Sequence, residues 1–189
     1  MYLPVLISVF AFSMIPGAFA NFQEDMLNEH NRLRKLHGSP EMILHPGDSI
    51  EGFQFIINHL ATEGEFEPYE RDGGPSTCKT LEDPLNCAQQ WYDEIKDYDF
   101  DKPGFSDQTK FFTALVWKNS TELLVATAKS PTSNYNFVIA GYLPKGNIDG
   151  QFEENVPRLI NGSLSSGKLF QINIGIVLLC SWFISKILA

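Results

Sequence analysis

The apolar positions recur at helical spacing in "FQEDMLNEHNRLRKLHG", residues 22–38, where Met26, Leu27, His30, Leu33 and Leu36 share a stripe. Acids lead, bases follow, and Gly38 and Pro40 close the run, which predicts an amphipathic helix. Residues 48–64 repeat the pattern with Ile50, Phe53, Ile57 and Leu60 on one face and Asp48 or Ser49 as cap. Residues 63–80 are acidic, rich in Gly and Pro and without period, which predicts a loop. A third helix starts at Asp83 with Pro84 at its first position and carries Leu85, Ala88, Trp91, Tyr92 and Ile95. A turn at 102–105 leads to a short, strongly apolar helix over 107–118. Two strand patterns, 121–129 and 136–144, flank the turn-rich "SPTSNY" and predict a hairpin. The mixture points to one α+β layered domain.

Both ends are apolar. Residues 1–20 hold no charge and close on Ala-Phe-Ala, which predicts a secretory signal peptide, an uncleaved anchor being the alternative. Residues 169–189 form an apolar tail, and residues 157–168, a linker, include the small and polar "NGSLSSGK". Small residues, a spacer and a hydrophobic tail predict a glycosylphosphatidylinositol (GPI) anchor at Asn161, with Ser165 or Ser166 as the second choice. A transmembrane helix is the alternative, since about 20 apolar residues span a bilayer. Either places the domain at the cell surface, tethered and facing outward.

All 23 acidic residues lie between these ends, leaving residues 21–161 with a formal charge of −11. A surface of that sign repels phosphate backbones, which excludes nucleic acid as a partner, and offers no attraction to anionic lipid. Cys78 and Cys87, nine apart, predict one local disulfide in an oxidising compartment, whereas Cys180 lies in the tail. A loop this short contributes about 2–3 kcal/mol. Sequons at Asn119 and Asn161 are candidate glycosylation sites; Asn161 competes with the anchor, and the nearby Trp117 predicts hindrance at Asn119.

Of the four histidines, His30 and His37 stand two helical turns apart, about 10 Å, too far for one metal ion. His37 precedes the Gly stop, where a cation favours the helix end. His45 lies in a loop and His59 beside the apolar face of the second helix. No Gly-x-Ser-x-Gly elbow or Cys/His pair is present, so no catalytic residue and no cofactor is assigned.

Four motifs then occur in a characteristic order: "NEHNRLRKLHG", "CAQQWYDEIKDYDFDKPGF", "KFFTALVWKNST" and "NFVIAGYLPKGN". Over residues 21–156 the chain resembles the CAP superfamily (cysteine-rich secretory, antigen-five and pathogenesis-related proteins, or SCP domains), and within it the Golgi-associated pathogenesis-related branch. The resemblance implies an α-β-α sandwich with a central antiparallel sheet. It also implies a cleft of two histidines and two glutamates able to hold a divalent metal. Here Glu94 matches one glutamate, Phe111 falls where a histidine stands, and Thr80 falls where the second glutamate is placed. The other histidine belongs in 63–72, which has none. Glu82 is a possible stand-in for the second glutamate.

One glutamate facing a phenylalanine supplies neither a metal ligand set nor an acid/base pair. The aromatics around Trp91, Tyr92, Phe111, Phe112 and Trp117 read as core. The resemblance therefore implies a non-enzymatic, tethered domain that binds either a sterol or fatty acid between helices or a cell-surface protein. For the latter the acidic 63–75 loop is the natural contact. The alternatives are a metal-dependent hydrolase built on Glu94 with Glu82 or Glu70 and a distant histidine, and a structural or decoy surface protein.

Overall fold

Helix α1, Phe22–Lys35, has Glu24 and Asp25 in its first turn and buries Met26, His30, Leu33 and Arg34. It ends in a Schellman turn: Gly38 takes a positive φ of 67°, its N–H reaches Lys35 O, and Ser39 N–H reaches Arg34 O. Glycine suits that left-handed position because it carries no Cβ. The computed structural model describes residues 22–47, 49–65 and 74–160. The expected signal peptide, linker end, tail, Asn161, Ser165 and Asp48 lie outside the described residues.

After α1 come β1 (Ile43–Leu44), α2 (Ser49–Glu63), β2 (Ser76–Thr80), α3 (Asn86–Tyr92) and a 3-10 helix (Asp93–Asp97). The chain continues through α4 (Lys110–Val116), β3 (Glu122–Lys129), β4 (Asn136–Leu143) and α5 (Phe152–Asn155). The sheet order is β1-β3-β4-β2. β3 and β4 form the antiparallel hairpin, in register from Glu122↔Leu143 to Lys129↔Asn136. β2 adds antiparallel to β4, and the two-residue β1 adds parallel to β3.

Alternation along the hairpin sends its side chains to two layers. Leu123, Val125, Val138, Ala140 and Tyr142 join Met26, Leu33, Trp91, Phe112 and Leu115 in the core shared with α1, α3 and α4. Ala126, Phe137 and Ile139 meet Ile57, Leu60 and Ala61 of α2. Helices thus cover both faces of the sheet. Gly141 sets how close α2 comes: a Cβ there would lie 2.6 Å from Cζ of Phe53.

The loop expected over 63–80 needs correction, because its last part is strand β2. "STCKT" carries no apolar alternation, yet Ser76, Cys78 and Thr80 point inward. β4 offers an open edge, the Cys78–Cys87 disulfide ties β2 to the start of α3, and Trp91 Nε1–H donates to Thr77 O. The long-range partners create the strand, not its own composition. The third helix turns from the expected cap, since Asp83 Oδ1 accepts from Leu85 N–H and Asp83 O accepts from Asn86 N–H, but its α-helical part is only Asn86–Tyr92 and Ile95 falls in the 3-10 helix that follows.

Arg34 is fully buried, and among the described residues no carboxylate pairs with it. Its Nε donates to Pro40 O at 2.9 Å, Nη1 to Leu115 O and Trp117 O, and Nη2 to Ser120 O at 2.8 Å. Burial lowers its pKa to about 10, so it remains cationic at neutral pH. Arg34→Lys should lower unfolding free energy by about 3 kcal/mol or more, because an ammonium lacks the planar fork that meets these carbonyls together. Urea melts at neutral pH read this directly, and a loss under about 1 kcal/mol would contradict the assignment.

Candidate functional site

The candidate cleft is built where the 3-10 helix delivers Glu94 to the start of α4. Thr109, at the α4 N-cap, makes no side-chain cap bond. Glu94 fills that role from outside the helix: its Oε2 accepts the N–H of Phe111 at 2.9 Å and of Phe112 at 3.0 Å. These are orphan donors of a helix N-terminus, where a carboxylate also meets the positive end of the dipole. Burial pushes the Glu94 pKa up, and the two N–H bonds and Lys110 partly counter it.

Phe111 stands beside this carboxylate, its ring edge-on to Trp91 with centroids 6.4 Å apart. Trp91 in turn meets His30 edge-on at 6.0 Å. His30 Nδ1 lies 2.7 Å from Met26 O. A carbonyl only accepts, so Nδ1 carries the proton and Nε2 accepts from Tyr142 Oη–H at 3.2 Å. Burial, the largest influence, lowers the His30 pKa to about 4. The same burial raises that of Tyr142.

Thr80 is buried at the far end of β2, where its Oγ1 accepts Glu82 N–H. No hydrogen bond joins it to Glu94 among the described residues. Glu82 itself is exposed and accepts from Asn86 Nδ2. Glu70 lies outside the described residues. The structure therefore brings Glu94 and Phe111 together, with Trp91 and His30 behind them, and leaves Thr80 and Glu82 out.

The expectation for His37 is corrected. It is not a cation at the helix end but a buried neutral ring. Its Nδ1–H donates to Pro157 O at 2.6 Å, Nε2 accepts from Tyr92 Oη–H at 3.0 Å, and burial lowers its pKa. It packs among Tyr92, Phe100 and Phe112. Sequence reasoning missed this because Pro157 lies 120 residues away and no local pattern announces it. His45 sits beside Glu122 at 2.6 Å, and His59 is exposed on α2.

These residues do not fit a divalent metal. Both buried histidines use their acceptor nitrogen on a tyrosine hydroxyl, and Glu94 is engaged by two backbone donors. No cluster of three or more His, Cys, Asp or Glu suited to an ion occurs among the described residues.

The family model for the cysteine-rich secretory protein family, CAP, matches residues 60–142. Human Golgi-associated plant pathogenesis-related protein 1 is 35% identical over 150 residues, covering 74% of this chain and 95% of the relative. The chain belongs to the CAP family. Repressed by EFG1 protein 1 of Candida albicans is 29% identical over 140 residues, covering 71% of this CAP chain. The chain spans only 50% of that relative and 41% of Protein PRY2 of Saccharomyces cerevisiae. Among solved structures, hookworm platelet inhibitor superposes with a TM-score of 0.53 at 17% identity, over 71% of this chain and 75% of that one. BmVAL-1 gives 0.54 at 17% identity, over 78% and 87%. These structural likenesses establish the CAP fold as an α-β-α sandwich.

The buried histidines make stability pH-dependent, with a definite sign. A base whose folded pKa lies below its unfolded value is fully tolerated above the unfolded value and opposes folding as pH falls. For His30 the window runs from the ordinary 6.5 down to about 4, a loss of about 3 kcal/mol at its lower end. His37 acts in the same direction, while Glu94, with its raised pKa, acts oppositely. Urea melts between about pH 7 and pH 4.5 should show stability falling through this window; a flat profile would contradict the buried-neutral assignment.

Proposed function

We propose that this CAP domain is a non-enzymatic, membrane-tethered extracellular module that works by binding, its family metal site lost. The observation that carries the reading is the Glu94 carboxylate, spent on the N–H groups of Phe111 and Phe112. A group that caps a helix from a half-buried position, next to a phenylalanine, has among the described residues no cluster with which to ligate a metal. The Candida albicans relatives Secreted protein RBT4 and Secreted protein PRY1 accord with a secretory route.

Between ligand classes, recognition of a cell-surface protein is the preferred form. The apolar groove beside Phe53, lined also by Pro75, Leu124, Gly141, Leu143 and Gly146, encloses about 220 Å³. Sites for drug-sized molecules run from about 300 Å³ upward, so this groove takes an acyl segment more readily than a sterol nucleus. The acidic loop favoured as protein contact falls largely outside the described residues.

Two measurements test the reading. Saturating zinc or copper should leave the melting temperature unchanged, because only a ligand that binds the native state raises it. Glu94→Ala should cost about 1 kcal/mol as a lost cap. A metal-induced rise abolished by that substitution would restore the metal-dependent hydrolase. Separately, phosphatidylinositol-specific phospholipase C on cells displaying the full chain should release it into the medium; retention with the intact tail would establish a transmembrane helix instead.

A further inference from the structure

The acceptor triplet Asn119-Ser120-Thr121 sits on a turn whose backbone is pinned on every side. Lys118 N–H donates to Asn155 O, Asn119 N–H to Asn155 Oδ1, Ser120 N–H to Trp117 O and Thr121 N–H to Leu143 O. Ser120 Oγ–H donates to Pro144 O, and Ser120 O accepts from Arg34. The Asn119 side chain takes no part in this. It is exposed, and its carboxamide has no hydrogen-bond partner among the described residues. Thr121 is exposed as well.

The hindrance expected from Trp117 does not arise. That indole is fully buried, turned inward against Phe152 with centroids 5.1 Å apart and against Gly146. The folded domain therefore accommodates a large group on Asn119 without moving any packed side chain.

We propose that Asn119 carries an N-linked oligosaccharide, an inference that rests on the reading that the chain enters the secretory pathway. The donor class is a lipid pyrophosphate-linked oligosaccharide. The carboxamide nitrogen bonds to the anomeric carbon of the first sugar, the carbon–oxygen bond to pyrophosphate breaks and its electron pair leaves with the pyrophosphate. The amide nitrogen gives up one proton to a base. Glu94 lies at the opposite end of α4, about 10 Å along a helix of seven residues.

The acceptor turn adjoins one edge of the sheet. β1 is an edge strand of only two residues, joined through Ile43 N–H to Thr121 O. Ile43 is 60% exposed and Leu143 37%, and both flank Thr121. An open edge with apolar side chains invites pairing with another chain, and a bulky hydrophilic group beside it opposes that.

The test translates the full chain in the presence of endoplasmic-reticulum microsomes, with Asn161→Gln silencing the second sequon. The protease-protected chain should migrate one glycan step above the Asn119→Gln/Asn161→Gln double variant. Peptide N-glycosidase should collapse that step and leave aspartate at position 119 by mass spectrometry. Thr121→Ser should keep the step and Thr121→Ala lose it. A protected chain with no step overturns the Asn119 assignment alone, whereas a chain left open to protease overturns the secretory reading together with it.

Discussion

A single buried guanidinium organises the helical side of this domain. Arg34 reaches the turn after α1, the end of α4 and the turn before β3 through four carbonyl oxygens. A buried cation without an acid partner is tolerated because oriented backbone dipoles replace its water, and the planar fork meets them without further ordering. Two of those carbonyls belong to the last turn of α4 and the residue after it, where helix-end acceptors need partners from outside the helix. Ser39 supplies the adjoining bond, from its hydroxyl to Val116 O. The junction of α1, α4 and β3 is thus held by polar contacts inside a hydrophobic shell, and the cleft and the Asn119 turn lie at opposite ends of the helix it anchors.

The same polar logic explains the site. His30 and His37 are each locked between a carbonyl and a tyrosine hydroxyl, an arrangement that satisfies both ring nitrogens while the ring stays neutral. Glu94 is satisfied by the α4 N-terminus. His30, His37 and Glu94 are each committed to holding two elements together, and Phe111 with Trp91 completes an aromatic wall. Under the proposed binding reading, function rests on recognition at a surface.

Much of the fold was legible in the chain. The stripes that form α1 and α2 rest on spacing alone, and the hairpin of β3 and β4 on alternation bracketed by turn residues. Gly38 and Pro40 marked the end of α1 because the Schellman turn has its own chemistry. β2 was not legible, since five small or polar residues carry no strand signal until β4 and the disulfide give them partners. β1 and α5 escaped for the same reason: two and four residues are shorter than any periodic pattern. In the site, Glu94 and Phe111 were identified through the resemblance, but the cap that Glu94 provides needs two elements seventeen residues apart to meet.

The sequence by itself determined the family, the helical faces, the acidic surface, the cysteine pair and the sequons. Those features are local or carried by ordered motifs, so no fold is needed to read them. Only the tertiary structure decided that His37 is a buried neutral spoke, that Arg34 is a hub of carbonyls, that Glu94 is a cap, and that Asn119 faces solvent while Trp117 turns away. Each of these depends on groups far apart in sequence, and whether a polar side chain is a ligand, a charge or a satisfied core residue is set by what lies across the gap, not by its neighbours along the chain.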